Sequence, residues 1–331
     1  MTSAAIFGLL GTELSKAERD FFRSADPWGF ILFARNVADP EQMRRLTGDL
    51  RDALGRDAII TVDQEGGRVQ RMRAPHWAEW TPPLEDALRG ADAMRLRYRL
   101  IGQELRAIGI DSDCAPTLDI ASDETHPFLQ NRCLGRNAGD VARLGRAVAD
   151  GLLEAGVVPI MKHMPGHGRA VADSHHETPV VTTPHAELSQ TDFATFRALN
   201  DLPMGMSAHI RFADLDDAPA TSSARMIGLI RDEIGFDGLL MTDDISMNGL
   251  SGTIGERSAA SIAAGIDLIL HCHGHMHEME AVVAKAGEMS ADATRRAERA
   301  LGFRRAPDQV PAAELLAEYR ALGGQVEWAA A

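Results

Sequence analysis

The sequence predicts an α/β protein, a single (β/α)8 TIM-type barrel with a C-terminal helical tail, and three observations carry that reading. First, eight short apolar runs recur, at 6–10, 30–33, 58–62, 110–117, 157–161, 203–208, 238–241 and 267–270. They are continuous rather than alternating, as strands of a parallel sheet covered on both faces read. Second, amphipathic segments rich in Ala, Leu, Arg and Glu lie between them, for example 40–54, 140–155, 186–199 and 254–264. Strand and helix in alternation imply βαβ crossovers and a parallel sheet. Third, the first run leads into Gly11-Thr12-Glu13-Leu14 rather than a GxGxxG turn, and no GxxxxGK[ST] loop occurs. An open nucleotide-binding sheet wants one of these loops, so closure into a barrel is favoured.

A barrel uses the whole length, 331 residues, as one domain spanning 1–331. The stretch 302–331 carries Pro307 and Pro311 and then a helical run at 312–322, a tail expected to pack on the outside. Hydrophobic residues at 45% and charged residues at 25% exclude a disordered chain. A net charge of −14 and a pI near 5.3 argue against nucleic acid as a partner, which needs a basic face. The three cysteines, Cys114, Cys133 and Cys272, form no CxxC pattern and suggest neither a disulfide framework nor structural zinc. The apolar run at 4–10 lacks the basic flank and length of a signal peptide, and no run reaches the ~20 residues that cross a bilayer. The expectation is a cytoplasmic protein with no membrane partner.

In such a barrel the chemistry sits at the C-terminal ends of the strands. Five of the eight runs end in charged or imidazole side chains: Asp63-Gln64-Glu65-Gly66-Gly67-Arg68-Val69-Gln70-Arg71, Lys162-His163, His209, Asp243-Asp244, and His271-Cys272-His273. Gly66 and Gly67 permit a tight turn that brings Asp63 and Arg71 to one place. Lysine occurs only three times, as Lys16, Lys162 and Lys285. Placed after a buried strand, Lys162 needs a partner: a sugar hydroxyl or carboxylate at a rim site, or a structural ion pair. Strand alternation lets only one of Asp243 and Asp244 face the axis. From the residues alone, Asp243 reads either as a catalytic carboxylate or as the N-cap of the next helix. His271, His273, His275 and His277 share one face if the segment is extended, a pattern that could chelate nickel or zinc adventitiously, but the tract reads first as a surface loop. His209 reads as a group behind the pocket or as a core histidine. Trp28, Trp77 and Trp80 read as sugar-stacking platforms or as packing.

The stretches DQEGGRVQR (63–71), KHMPGHG (162–168), DSH (173–175) and TDDISM (242–247) also carry a resemblance. In this order they resemble the bacterial cytoplasmic β-N-acetylglucosaminidases of glycoside hydrolase family 3, the peptidoglycan-recycling type, over about 7–270. The resemblance implies a barrel, no cofactor and no metal. It implies retaining exo-hydrolysis of terminal β-linked N-acetylglucosamine from muropeptide-derived GlcNAc–anhydroMurNAc, a small-molecule sugar partner. By motif position it makes Asp243 the nucleophile of a covalent glycosyl-enzyme and His175, paired with Asp173, the acid/base. Asp63, Arg71, Arg132, Lys162 and His163 become sugar-binding residues. Histidine suits the acid/base role because it titrates near neutral pH and a neighbouring carboxylate orients it. The Gly166-His167-Gly168 segment would give this dyad its freedom to move. His176 receives no role. Leu134 departs from the family pattern, which commonly carries an aromatic two residues after the arginine. Three other readings compete: phosphorolysis at the same site, separated by products formed with and without phosphate; a metal-dependent barrel hydrolase, removed by full activity after chelation; and a sugar-binding protein without turnover.

Overall fold

Eight parallel strands close on themselves in chain order in the computed structural model, which describes residues 2–171 and 178–327. They are β1 (Ser3–Phe7), β2 (Pro27–Leu32), β3 (Ile59–Val62), β4 (Ser112–Asp113), β5 (Val158–Met164), β6 (Met204–Ser207), β7 (Leu239–Asp244) and β8 (Leu268–His271). Each overlaps one of the eight apolar runs, and β8 pairs back onto β1. The boundaries move where backbone bonding overrides composition. The run 110–117 gives only two ladder residues, since Pro116 in its later part has no amide to donate. Strand β7 continues three residues past its apolar run and takes Asp243 and Asp244 into the sheet.

Period-two alternation sorts the strand side chains into two cores. Ile6, Ile31, Ile59, Ile160, Met204, Met206, Leu239, Met241 and Leu270 fill the barrel axis. Phe7, Ile60, Val62, Leu240 and Ile269 point outward under the helices. Each such side chain is essentially fully buried, an arrangement that contributes on the order of 1.5–3 kcal/mol apiece. The packed axis floors the barrel and leaves only its C-terminal mouth open.

The helices begin and end on local signals. The helix Pro40–Leu54 is capped by the Asp39 side chain, which accepts from the Gln42 amide, and stops at Gly55 in the left-handed region (φ 64°). The expected helix at 186–199 is instead two, His185–Gln190 and Asp192–Arg197. Between them Thr191 leaves helical geometry (ψ −85°), and its hydroxyl lies 2.8 Å from both the Glu187 carbonyl and the Asp192 carboxylate, with one proton to give to either. Side-chain competition of this kind interrupts helices. In the tail, the helix Ala312–Ala321 lies against Ala91–Ala107: Tyr319 Oη donates to buried Asp86 at 2.6 Å and Gln103 donates to the Val310 carbonyl at 2.8 Å. Val326–Glu327 then pairs antiparallel with Glu79–Trp80. Among the described residues no helix is long and apolar enough to cross a membrane, and the three cysteines are free and buried.

Candidate active site

The mouth of the barrel opens into a cavity of about 490 Å³, within the range of small-molecule sites. Asp63, Arg71, Arg132, Lys162, His163 and Asp243 all line it.

One wall rises from β3, β5 and the segment after β4. Past Val62 the chain folds back at Gly66 and Gly67, both at positive φ (99° and 57°). A Cβ on Gly66 would meet the Arg97 guanidinium at 2.0 Å, so only glycine fits. The Gln64 side chain accepts from the amides of Arg71 and Met72 (2.8 and 3.1 Å) and locks the loop shut. Arg71 thereby donates to Asp63 at 2.9 Å. Lys162, 1% exposed, reaches from β5 to Asp63 at 2.8 Å and Glu65 at 2.5 Å. Arg132 forks onto Glu65 with two bonds of 2.9 and 2.8 Å. Paired groups of this kind resist neutralisation. Burial pushes both carboxyls up, but Lys162 and Arg71 hold Asp63 far below the carboxylate range, and Arg132 and Lys162 hold Glu65 at about 2. Lys162 is held well above its ordinary value for the same reason, burial being outweighed by Asp63 and Glu65.

A second tier stands behind His163. Asp119 accepts from His163 Nδ1 at 2.7 Å and from the His167 amide at 2.6 Å, leaving His163 Nε2 3.5 Å from Arg132. Burial raises Asp119, but His163 and His167 keep it below its ordinary value, so it accepts from the ring and fixes its orientation. His167, 2% exposed, is pushed down to about 4 by burial and by neighbouring His163. Gly168 approaches the Ile120 backbone so closely that a Cβ would stand 2.0 Å from its carbonyl oxygen. Gly166, at φ 142°, and Gly168 are thus both held to glycine by their surroundings.

The opposite wall comes from β7 and β8. Asp243 and Asp244 are both half-buried and both line the cavity. Strict alternation fails because the β7–β8 register shifts between Met241 and Asp244, a bulge that re-aims adjacent side chains. A like shift between Met161 and Met164 brings Lys162 and His163 to the cavity together. Asp244 is tied down: it accepts from the Cys272 amide (3.1 Å) and the Ser246 hydroxyl (2.6 Å). Among the described residues the Asp243 carboxylate accepts one bond, 2.8 Å from the Asp244 amide. Burial raises Asp243, but His163, His209, that amide and Lys162 keep it below its ordinary value. The N-cap reading of Asp243 is overturned, since Thr253 caps the next helix, Ile254–Ala264.

The remaining sequence candidates divide. Asp173 and His175, with His176, fall within 172–177, outside the described residues. His209 is a fully buried core histidine bonded to Thr221 Oγ1 (2.8 Å) and the Asp244 carbonyl (3.0 Å). Trp28, Trp77 and Trp80 are all buried away from the cavity, so the stacking alternative is corrected: its aromatic lining is Phe33 and Phe128. The histidine tract is not extended: His271 ends β8 fully buried, and His275 stands at the N-cap position of the helix Met276–Ala286. Sequence reasoning gave no role to Glu65 or Asp119. Glu65 lay inside the quoted 63–71 stretch, two residues past Asp63, and Asp119 follows the fourth run, whose end was passed over.

A closed parallel barrel with a polar cavity at the C-terminal ends of its strands defines a barrel enzyme. Residues 10–301 match the sequence model of the glycosyl hydrolase family 3 N terminal domain. The chain belongs to glycoside hydrolase family 3 and is a glycoside hydrolase. It is 38% identical over 276 residues to the β-hexosaminidase of Bordetella parapertussis, covering 80% of this chain and 78% of that one. It is 35% identical over 278 residues to the β-hexosaminidase of Methylococcus capsulatus, covering 81% and 82%. Among solved structures it resembles NagZ from Neisseria gonorrhoeae in complex with N-trifluoroacetyl-D-glucosamine, with a TM-score of 0.82, 28% identity and coverage of 97% and 96%. It also resembles a family 3 β-N-acetylglucosaminidase from Paenibacillus, with a TM-score of 0.81 and 32% identity; 97% of this chain aligns, spanning 62% of that one.

Proposed function

We propose that this chain is an exo-acting β-N-acetylglucosaminidase that removes terminal β-linked N-acetylglucosamine with net retention. The observation that carries the reading is the asymmetry of the cavity: five interlocked charged groups (Asp63, Glu65, Arg71, Arg132, Lys162) face one sparsely bonded carboxylate, Asp243. The interlocked side offers fixed donors and acceptors to sugar hydroxyls. Asp243 stays anionic and attacks the anomeric carbon. As its oxygen bonds to that carbon, the glycosidic bond breaks and the leaving oxygen takes a proton from His175, held by Asp173. Water then cleaves the glycosyl-enzyme, returning its proton to His175. The His175 and Asp173 roles rest on the motif alone. The β-hexosaminidase relatives and the NagZ complex support the sugar specificity. The substrate we propose is muropeptide-derived GlcNAc–anhydroMurNAc in the cytoplasm, as part of peptidoglycan recycling.

The test is hydrolysis of an aryl β-N-acetylglucosaminide, with the first-formed anomer read by NMR and the products compared with and without phosphate. β-N-acetylglucosamine as first product is expected; the α-anomer, or a sugar 1-phosphate, overturns hydrolysis with retention. His175→Ala should impair substrates with poor leaving groups at least about tenfold more than activated aryl glycosides, which need little protonation. Equal loss on both removes His175 as the acid.

A further inference from the structure

We propose that the turn leaving β8 binds one divalent transition-metal ion of the zinc class, on His273, His275 and Glu278, at the edge of the cavity. Among the described residues this is the one group of three whose donor atoms all lie within 4.8 Å of one another. His275 Nδ1 already stands 3.3 Å from Glu278 Oε2. Ligand atoms about 2.0–2.1 Å from a tetrahedral zinc are roughly 3.4 Å apart, so this pair needs no rearrangement. The His273 and His275 side chains are each 51% exposed, which leaves the imidazoles free to close the remaining gap by rotation.

The backbone holds these groups on firm supports. β8 ends at His271, Gly274 turns the chain at φ 78°, and the helix Met276–Ala286 starts two residues later. His275 occupies the N-cap position but makes no side-chain capping bond, and its ring turns to Glu278 in the first helical turn instead. Glu278 is held from below by buried His271, whose Nε2 lies 2.8 Å from Oε2. A carboxylate ligand oriented by a further hydrogen bond is the usual surrounding of a bound metal. Two imidazoles and one carboxylate favour zinc, nickel or cobalt over magnesium, which prefers an all-oxygen shell. Three protein ligands also leave a coordination position open.

The position matters because His273 lines the active-site cavity, with Nε2 3.9 Å from Asp244 Oδ2. A bound dication would stand beside the wall that carries Asp243 and Asp244. The inference is independent of the sugar assignment, since neither His275 nor Glu278 lines the cavity.

Calorimetric titration of the untagged, chelator-treated protein with zinc chloride and with magnesium chloride tests it. One zinc ion per chain is expected to bind with micromolar or tighter affinity and magnesium not at all. His275→Ala and Glu278→Gln should each weaken zinc at least about tenfold. Melting curves of the metal-free variants check that both remain folded. Zinc affinity unchanged in both variants would place the ion elsewhere and overturn the proposal. So would no zinc binding to the parent, or magnesium binding as tight as zinc.

Discussion

The two walls of the cavity follow opposite electrostatic plans. On the β3–β5 wall both carboxylates are doubly answered: Asp63 by Lys162 and Arg71, Glu65 by Lys162 and Arg132. On the β7 wall the Asp243 carboxylate keeps, among the described residues, a single hydrogen bond, from its neighbour's amide. The answered groups cannot move without breaking another pair, so under the proposed function they present a fixed pattern to a neutral sugar and need no reorganisation. A carboxylate clamped by guanidinium on both oxygens would be a poor nucleophile; one held by an amide keeps a free oxygen for attack. The difference teaches that ion pairing here serves shape on one side, and its scarcity serves reactivity on the other.

Substitutions on the two walls should therefore fail differently. The largest effect is expected for Asp243→Ala, which removes the carboxylate we propose as nucleophile: turnover of an aryl β-N-acetylglucosaminide should fall by on the order of 10⁴-fold or more, with little change in urea unfolding. Retained turnover would move the attacking group to Asp244 and erase the contrast. Lys162→Met should do the reverse. Removing one partner of a buried pair costs about 3–5 kcal/mol, and the lower end is expected because Arg71 and Arg132 still answer the two carboxylates. Urea unfolding reads that loss, and a raised KM should accompany it. A variant as stable as the parent would show that the network contributes nothing to the fold.

The effect most confined in pH sharpens the contrast within one wall. Behind Asp63, buried Asp113 accepts from the Gln64 amide at 2.9 Å, and its other oxygen is without a hydrogen bond among the described residues. Burial pushes it up to about 7. Its carboxyl is neutral in the folded state while an unfolded aspartate ionises near 3.8, so its burial lowers stability progressively as pH rises from about 4 to 7. Asp63 and Glu65 have the opposite sign: their stabilisation is complete above the ordinary carboxyl range and is lost only as pH falls through their depressed values. Asp113→Asn should match the parent near pH 4 and exceed it at pH 8 by on the order of 2–4 kcal/mol. Stability curves across pH read this directly. Glu104, also pushed up to about 7 by burial, keeps its own slope in that variant.

The fold was legible because a parallel barrel writes itself locally: each strand is a continuous apolar run, and each run found its place in the ladder. The helix at 40–54 was equally plain, with Asp39, Pro40 and Gly55 marking its ends. Thr191 was not, since its break depends on where its own hydroxyl turns. Asp63, Arg71, Arg132, Lys162, His163 and Asp243 could be chosen by motif and run end, and the Gly66-Gly67 turn foretold the meeting of Asp63 with Arg71; the partners joined across strands could not be named. The partners stand far apart in sequence, 99 residues for Asp63 with Lys162 and 44 for Asp119 with His163. Asp119 was missed for that reason. Alternation predicted one inward carboxylate at 243 and 244 and found two, because a bulge is a property of two strands and is not written in one.

Strand β4 contributes only Ser112 and Asp113 to the barrel, and it lies between β3 and β5, the strands from which Asp63 and Lys162 emerge. The ammonium–carboxylate clasp spans the barrel's thinnest seam. A barrel opened at this seam would part Asp63 from Lys162, so the closed sheet and the charged wall of the cavity depend on the same contact.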